Sequence, residues 1–153
     1  MGFWAIWALA AVALLTFPAA AESVRAIDGD TIKLNGTTYR LWGIDAAEIR
    51  QACADGWEAG LEARRKLADL IGVGDVTCEP RGLDRYRRTI ALCRADGHDL
   101  SAAMMSAGMA YAFTRYSGDY VEQEKAAILS RAGVHAHDCQ KPWDWRVRNG
   151  VDR

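Results

Sequence analysis

Val24-Arg25-Ala26-Ile27-Asp28-Gly29-Asp30-Thr31-Ile32-Lys33-Leu34, then Asn35-Gly36, then Thr37-Thr38-Tyr39-Arg40-Leu41-Trp42-Gly43-Ile44-Asp45-Ala46-Ala47-Glu48, is the stretch that decides the fold. Two runs rich in β-type residues flank an Asn-Gly dipeptide, the strongest short-range signal for a tight hairpin turn. The stretch is therefore a hairpin. Its ends carry more carboxylate than a hairpin needs: Asp28 and Asp30 on the first strand, Asp45 and Glu48 where the second runs out. Acidic side chains gathered at one end of a small sheet repel one another unless cations or basic groups sit among them. Arg40, on the second strand, is a candidate neutraliser. Arg40 and Asp45 have opposite strand parity, and Gly43 between them offers a place for a bulge that brings both to one site.

Beyond the hairpin, residues 49–56 form a polar loop holding Cys53, and 57–71 have the apolar spacing of an amphipathic helix ending at Gly72. Two short strands, 75–79 and 89–94, enclose a basic loop, Pro80-Arg81-Gly82-Leu83-Asp84-Arg85-Tyr86-Arg87-Arg88. A helix over 100–107 ends at Gly108, and another spans 120–131. Between them lie Tyr111, Phe113 and Tyr116, which either pack in the core or offer exposed rings for stacking; the tyrosines, having a polar tip, are expected to face solvent more than Phe113. The tail, Lys141-Pro142-Trp143-Asp144-Trp145-Arg146, is aromatic enough to strap back onto the body. Short strands with helices between and after them predict an α+β domain built on a small closed barrel.

The chain has 153 residues, with 19 Lys plus Arg against 20 Asp plus Glu. That balance argues against holding nucleic acid by general attraction, so anion binding must be local. Residues 1–21 lack charge, are apolar from Phe3 to Phe17 and end in small residues, the pattern of a secretory signal peptide. An uncleaved membrane anchor is the alternative, because no Lys or Arg precedes the apolar run. Residues 22–153 are expected to be one exported domain, periplasmic or secreted, monomeric and without stable membrane association once the signal is removed. The four cysteines, Cys53, Cys78, Cys93 and Cys139, suit disulfides in that setting. Cys78 and Cys93 lie in the two arms of the second hairpin and are paired; Cys53 and Cys139 pair by elimination. His135-Ala136-His137-Asp138-Cys139 also permits a transition-metal reading, against which Cys139 is expected to be oxidised.

Carboxylates select hard cations, Ca²⁺ or Mg²⁺. A cation held by Asp30 and Asp45, the further carboxylate of Glu48 and two arginines together suit phosphodiester cleavage. At this point the chain resembles the staphylococcal nuclease family: Asp28-Gly29-Asp30-Thr31, Tyr39-Arg40-Leu41 and Gly43-Ile44-Asp45-Ala46-Ala47-Glu48 match one motif block, and Asp84-Arg85-Tyr86-Arg87-Arg88-Thr89-Ile90-Ala91 a second. Arg87 stands where the family normally has glycine. The resemblance implies a five-stranded OB-fold barrel with three helices and Ca²⁺-dependent cleavage of DNA and RNA leaving 3′-phosphate ends. It implies Asp30, Asp45 and the Ala46 carbonyl as metal ligands, with Asp28 in the outer sphere. Arg40, Glu48 and Arg88 would be catalytic, and Tyr86 and Tyr116 would contact the nucleotide. The alternative is a non-catalytic OB-fold module that binds nucleic acid or a protein; such modules usually lose one of the Arg, Glu, Arg trio, and here all three are present.

Overall fold

The computed structural model describes residues 23–72 and 74–151. The expected signal segment lies outside them. The chain runs β1 (Val24–Ala26), β2 (Thr31–Leu34), β3 (Thr37–Leu41), β4 (Ile44–Ala46), α1 (Ala59–Ile71), β5 (Val76–Leu83), β6 (Thr89–Ala95), β7 (His98–Asp99), α2 (Leu100–Ser106), β8 (Ala110–Ala112), α3 (Val121–Leu129) and α4 (Pro142–Asn149), with a 3₁₀ turn at Gly133–His135.

The hairpin is present, closed by Asn35 and Gly36 at φ 48° and 87°, the left-handed pair that a tight hairpin turn demands. It is bent twice, at 27–30 and at Trp42-Gly43, so the two expected strands become four short ones. One sheet is ordered β1-β2-β3-β6-β5, with β7 also on β6; β3 and β6 are parallel, and β4 with β8 forms a second, two-stranded ladder. The fold is the expected α+β OB-type arrangement, but the strands are more numerous and shorter and the described ladders do not join into a closed barrel. The second hairpin also differs: β5 continues through Pro80 to Leu83, with a register shift between Pro80 and Gly82, so the basic loop shrinks to a turn over 84–88.

The core is the inner face of the sheet covered by α1 and α2: Ile32, Leu34, Leu41, Ile44, Leu67, Leu100, Met104 and Met105 are all buried. On α1 the buried stripe is Ala59, Ala63, Leu67 and Ile71, spaced four apart so that one face meets the sheet. Small residues lead that stripe, and this sets the site. A Cβ on Gly29 would lie 2.6 Å from that of Ala63 and 2.7 Å from that of Ala46, so the Asp28-Gly29-Asp30 bend sits directly on α1 and β4. A Cβ on Gly60 would meet the Glu48 carbonyl at 1.9 Å, so the same helix backs the loop carrying Glu48.

Both expected disulfides are present, Cys78–Cys93 and Cys53–Cys139. Cys78 and Cys93 are direct cross-strand partners, and their separation of 15 positions is worth ~3 kcal/mol in the chain-entropy account. The Cys53–Cys139 bond removes the metal reading of 135–139: Cys139 is spent, and His137 instead stacks on Trp57 at 4.3 Å and pairs through Nδ1 with Asp55. The tail does strap back, as an additional helix, α4, opened by Pro142 and closed by Gly150 at φ 67°. No helix among the described residues is long and apolar enough to cross a membrane.

Candidate active site

The two bends and the Glu48 loop place their carboxylates around one guanidinium. Arg40, on β3, donates from Nη1 to Asp30 Oδ1 at 2.9 Å and from Nη2 to Asp45 Oδ1 at 2.8 Å. The Trp42-Gly43 turn, rather than a bulge, solves the parity problem: Gly43 at φ 74° reverses the chain so that Asp45 on β4 comes back to Arg40. Asp45 is fully buried and Asp30 nearly so. Asp30 also accepts from the Ala46 backbone N–H at 2.9 Å and from the Thr31 hydroxyl at 3.1 Å, while Asp28 accepts from the Asp30 N–H at 3.0 Å.

Burial pushes the Asp30 carboxyl up to about 7; Arg40 opposes that, and the neighbouring Asp28 and Asp45 add to it. Arg40 is held charged: burial works against its cation, and Asp30 and Asp45 outweigh burial. A second guanidinium, unassigned in the sequence, joins them. Arg146 of α4 forks onto Asp45, Nη2 to Oδ2 at 2.7 Å and Nη1 to Oδ1 at 3.1 Å, and Nη1 also reaches Glu48 Oε1 at 2.8 Å. Its contacts cross 101 positions of chain, which no local pattern reports.

Arg88 arrives from the turn after β5. Asp84 organises that turn: Oδ1 accepts from the backbone N–H groups of Tyr86 and Arg88 at 2.9 and 2.8 Å, and Oδ2 accepts from Arg88 Nε at 2.6 Å. Arg85 and Arg88 lie over the Tyr86 ring, 4.7 and 5.5 Å from its centroid. Arg87 and Arg88 do not alternate as strand neighbours would: both precede β6, and Arg87 is at φ 63°. Asp28, Asp30, Arg40, Ala46, Glu48, Tyr86, Arg88 and Tyr116 all line one open cleft of about 730 Å³. Asp45 lies beneath its floor. Tyr116 is exposed as expected, whereas Tyr111 is buried against Trp143 and His135, with its hydroxyl pushed up to about 12 by burial and by Glu124.

The donor set suits a hard divalent cation. Asp28, Asp30, Asp45 and Glu48 carry four formal negative charges against the two of Arg40 and Arg146, so two are uncompensated. The oxygens of Asp30 and Asp45 are turned to N–H donors. Among the described residues, accordingly, no three acidic side chains stand in metal-holding geometry.

Carboxylates and guanidiniums converging in an open cleft of an OB-type fold define a phosphodiester hydrolase. The family model described as staphylococcal nuclease homologue matches residues 38–142. A micrococcal nuclease of Shigella flexneri is 35% identical over 161 aligned positions, covering 91% of this chain and 89% of the relative. An uncharacterized endonuclease of Haemophilus influenzae is 30% identical across 84% of this chain and 74% of its own length, and the succinoglycan biosynthesis protein ExoI of Rhizobium meliloti is 34% identical with the same coverage. The chain belongs to the staphylococcal nuclease family and is a nuclease.

Proposed function

We propose that the protein is a calcium-dependent endonuclease of DNA and RNA whose cleavage leaves 3′-phosphate ends. The observation that carries this is the convergence of Arg40, Glu48 and Arg88 on the cleft that also holds Asp28 and Asp30. Asp30, Asp45 and the Ala46 carbonyl are the candidate ligands of the ion, with Asp28 in its outer sphere. Bound there, calcium would supply Lewis-acid neutralisation of the phosphate. Glu48 orients a water molecule and takes its proton as the water oxygen bonds to phosphorus. The P–O5′ bond breaks, the leaving 5′ oxygen takes a proton from solvent water, and the phosphate stays on the 3′ oxygen of the other fragment. Arg40 and Arg88 stabilise the charge that grows on the phosphoryl oxygens, and Arg88 does so with the edge that Asp84 leaves to it. Tyr86 and Tyr116, exposed at the rim, contact the nucleotide. The two disulfides suit an oxidising compartment, and with residues 1–21 as a signal peptide they support an exported protein acting as one domain over 22–153.

The test is digestion of single- and double-stranded DNA and of RNA with Ca²⁺, with Mg²⁺ and with excess chelator, with end-group analysis of the products. Cleavage is expected with Ca²⁺ and little with Mg²⁺, giving ends that a polymerase extends only after phosphatase treatment. Glu48→Gln should lower turnover by roughly 10² to 10⁴ while substrate affinity changes little. Undiminished activity in chelator, or in Glu48→Gln, would refute the mechanism.

A further inference from the structure

Arg146 is brought to the site by a segment riveted to the loop that bears Glu48. Just before α4, Cys139 is bonded to Cys53, and the Ala54 N–H donates to the Asp138 carbonyl at 2.9 Å. The buried Gln51 closes the joint: its Oε1 accepts from the Glu48 N–H at 3.1 Å, and its Nε2 donates to the Gln140 carbonyl at 2.6 Å. Loop and helix are therefore one body. Across it Arg146, only 14% exposed, clasps Asp45 with both terminal nitrogens and Glu48 with one. Glu48 sits in irregular backbone after β4, where a glutamate would otherwise sample several rotamers. The clasp fixes Oε1.

Resting on the nuclease reading above, we propose that Arg146 is a positioning residue for phosphodiester cleavage: it holds the Glu48 carboxylate at a fixed place beside Asp45, and as a resident cation it weakens the pull of the same carboxylates on a divalent ion. The two roles have opposite signs in the two quantities that report them. Removing the guanidinium frees the base and slows chemistry; it also removes a competing positive charge and tightens ion binding. A side chain that merely supported the fold would weaken both together.

The experiment uses the full chain with Arg146→Gln and Arg146→Lys, measuring kcat and KM on single-stranded DNA, Ca²⁺ affinity by calorimetry without substrate, and the melting temperature. Arg146→Gln should lower kcat on the order of 10- to 100-fold with KM little changed, as expected for a misplaced catalytic group. Its Ca²⁺ affinity should rise roughly 3- to 10-fold, the effect of one unit charge a few ångströms away under strong screening. Arg146→Lys keeps the charge but cannot fork across two carboxylates, so it should restore wild-type Ca²⁺ affinity and only part of kcat. Unchanged kcat in Arg146→Gln, or a loss accompanied by weaker Ca²⁺ binding, would overturn the proposal. Glu48→Gln separates the two failures. If it is inactive while Arg146→Gln runs at full speed, only the role of Arg146 falls; if it is fully active, the reading of Glu48 as base falls and the positioning role with it.

Discussion

Arg87 shows how one residue can stand against its backbone. It is at φ 63°, in the left-handed region where a Cβ crowds the following carbonyl and where glycine is at ease. That explains why a position the family usually gives to glycine is costly here for a long side chain. The same backbone keeps Arg87 and Arg88 from presenting their side chains alternately: alternation applies to extended backbone, and Arg87 is in a turn. Arg87→Gly should raise stability by roughly 0.5–1 kcal/mol and leave cleavage intact, checked by chemical denaturation beside a turnover assay. A loss of stability would mean that the arginine side chain makes contacts that outweigh the backbone cost. Asp28, Asp30, Arg40 and Glu48 were legible because each lies in a short motif whose chemistry is local. Arg146 was not, since nothing near Trp145 announces a partner at Asp45.

At the scale of elements, the short turn over 84–88 presents Arg88, and Asp84 is its keystone. Burial alone would push the Asp84 carboxyl up, but the Arg88 side chain and the backbone N–H groups of Arg88 and Tyr86 outweigh it and hold the group below its usual range. A carboxylate whose folded pKa is depressed contributes stability that is fully present above its unfolded value and is lost as pH falls through the folded one. Asp84→Asn should therefore be less stable than wild type at neutral pH, and the difference should shrink as pH drops toward and below the ordinary carboxylate range. Thermal melts of both proteins across that interval test it; a difference that stays constant would place the effect elsewhere. The hairpin and three helices were readable because turn residues and apolar periodicity act locally. The subdivision of strands was not, because the bends at 27–30 and at Trp42-Gly43 pack against α1 and against Tyr120, just before α3: the Cβ that Gly29 lacks would strike Ala63, and that of Gly43 would strike Tyr120. α4 escaped because its first five residues, Pro142 to Arg146, read as part of an aromatic strap, although Pro142 and Gly150 bracket it in the order helix ends prefer.

For the whole molecule, a net charge of −1 leaves long-range attraction for a polyanion weak, and the cleft itself is mixed. Arg40 and Arg146 are committed to Asp30, Asp45 and Glu48, while Arg85, Arg88 and Arg115 lie beside the rings of Tyr86 and Phe113 along the rim. Beside Arg40, whose charge its own carboxylates offset, substrate is then expected to place its phosphates on about three rim arginines rather than on a basic surface. For a single strand, neutralising Z phosphates gives a slope of about −0.7Z in log affinity against log salt, or about −2 for Z of three. Affinity for single-stranded DNA, measured with the slow Glu48→Gln variant in Ca²⁺ at constant pH, should fall roughly 15-fold between 50 and 200 mM salt. Replacing Arg115 by Gln should flatten the slope by roughly 0.7. A slope three times as steep would mean that the strand runs well beyond the cleft and binds over surface outside it; no salt dependence at all would mean that the rim arginines do not touch phosphate.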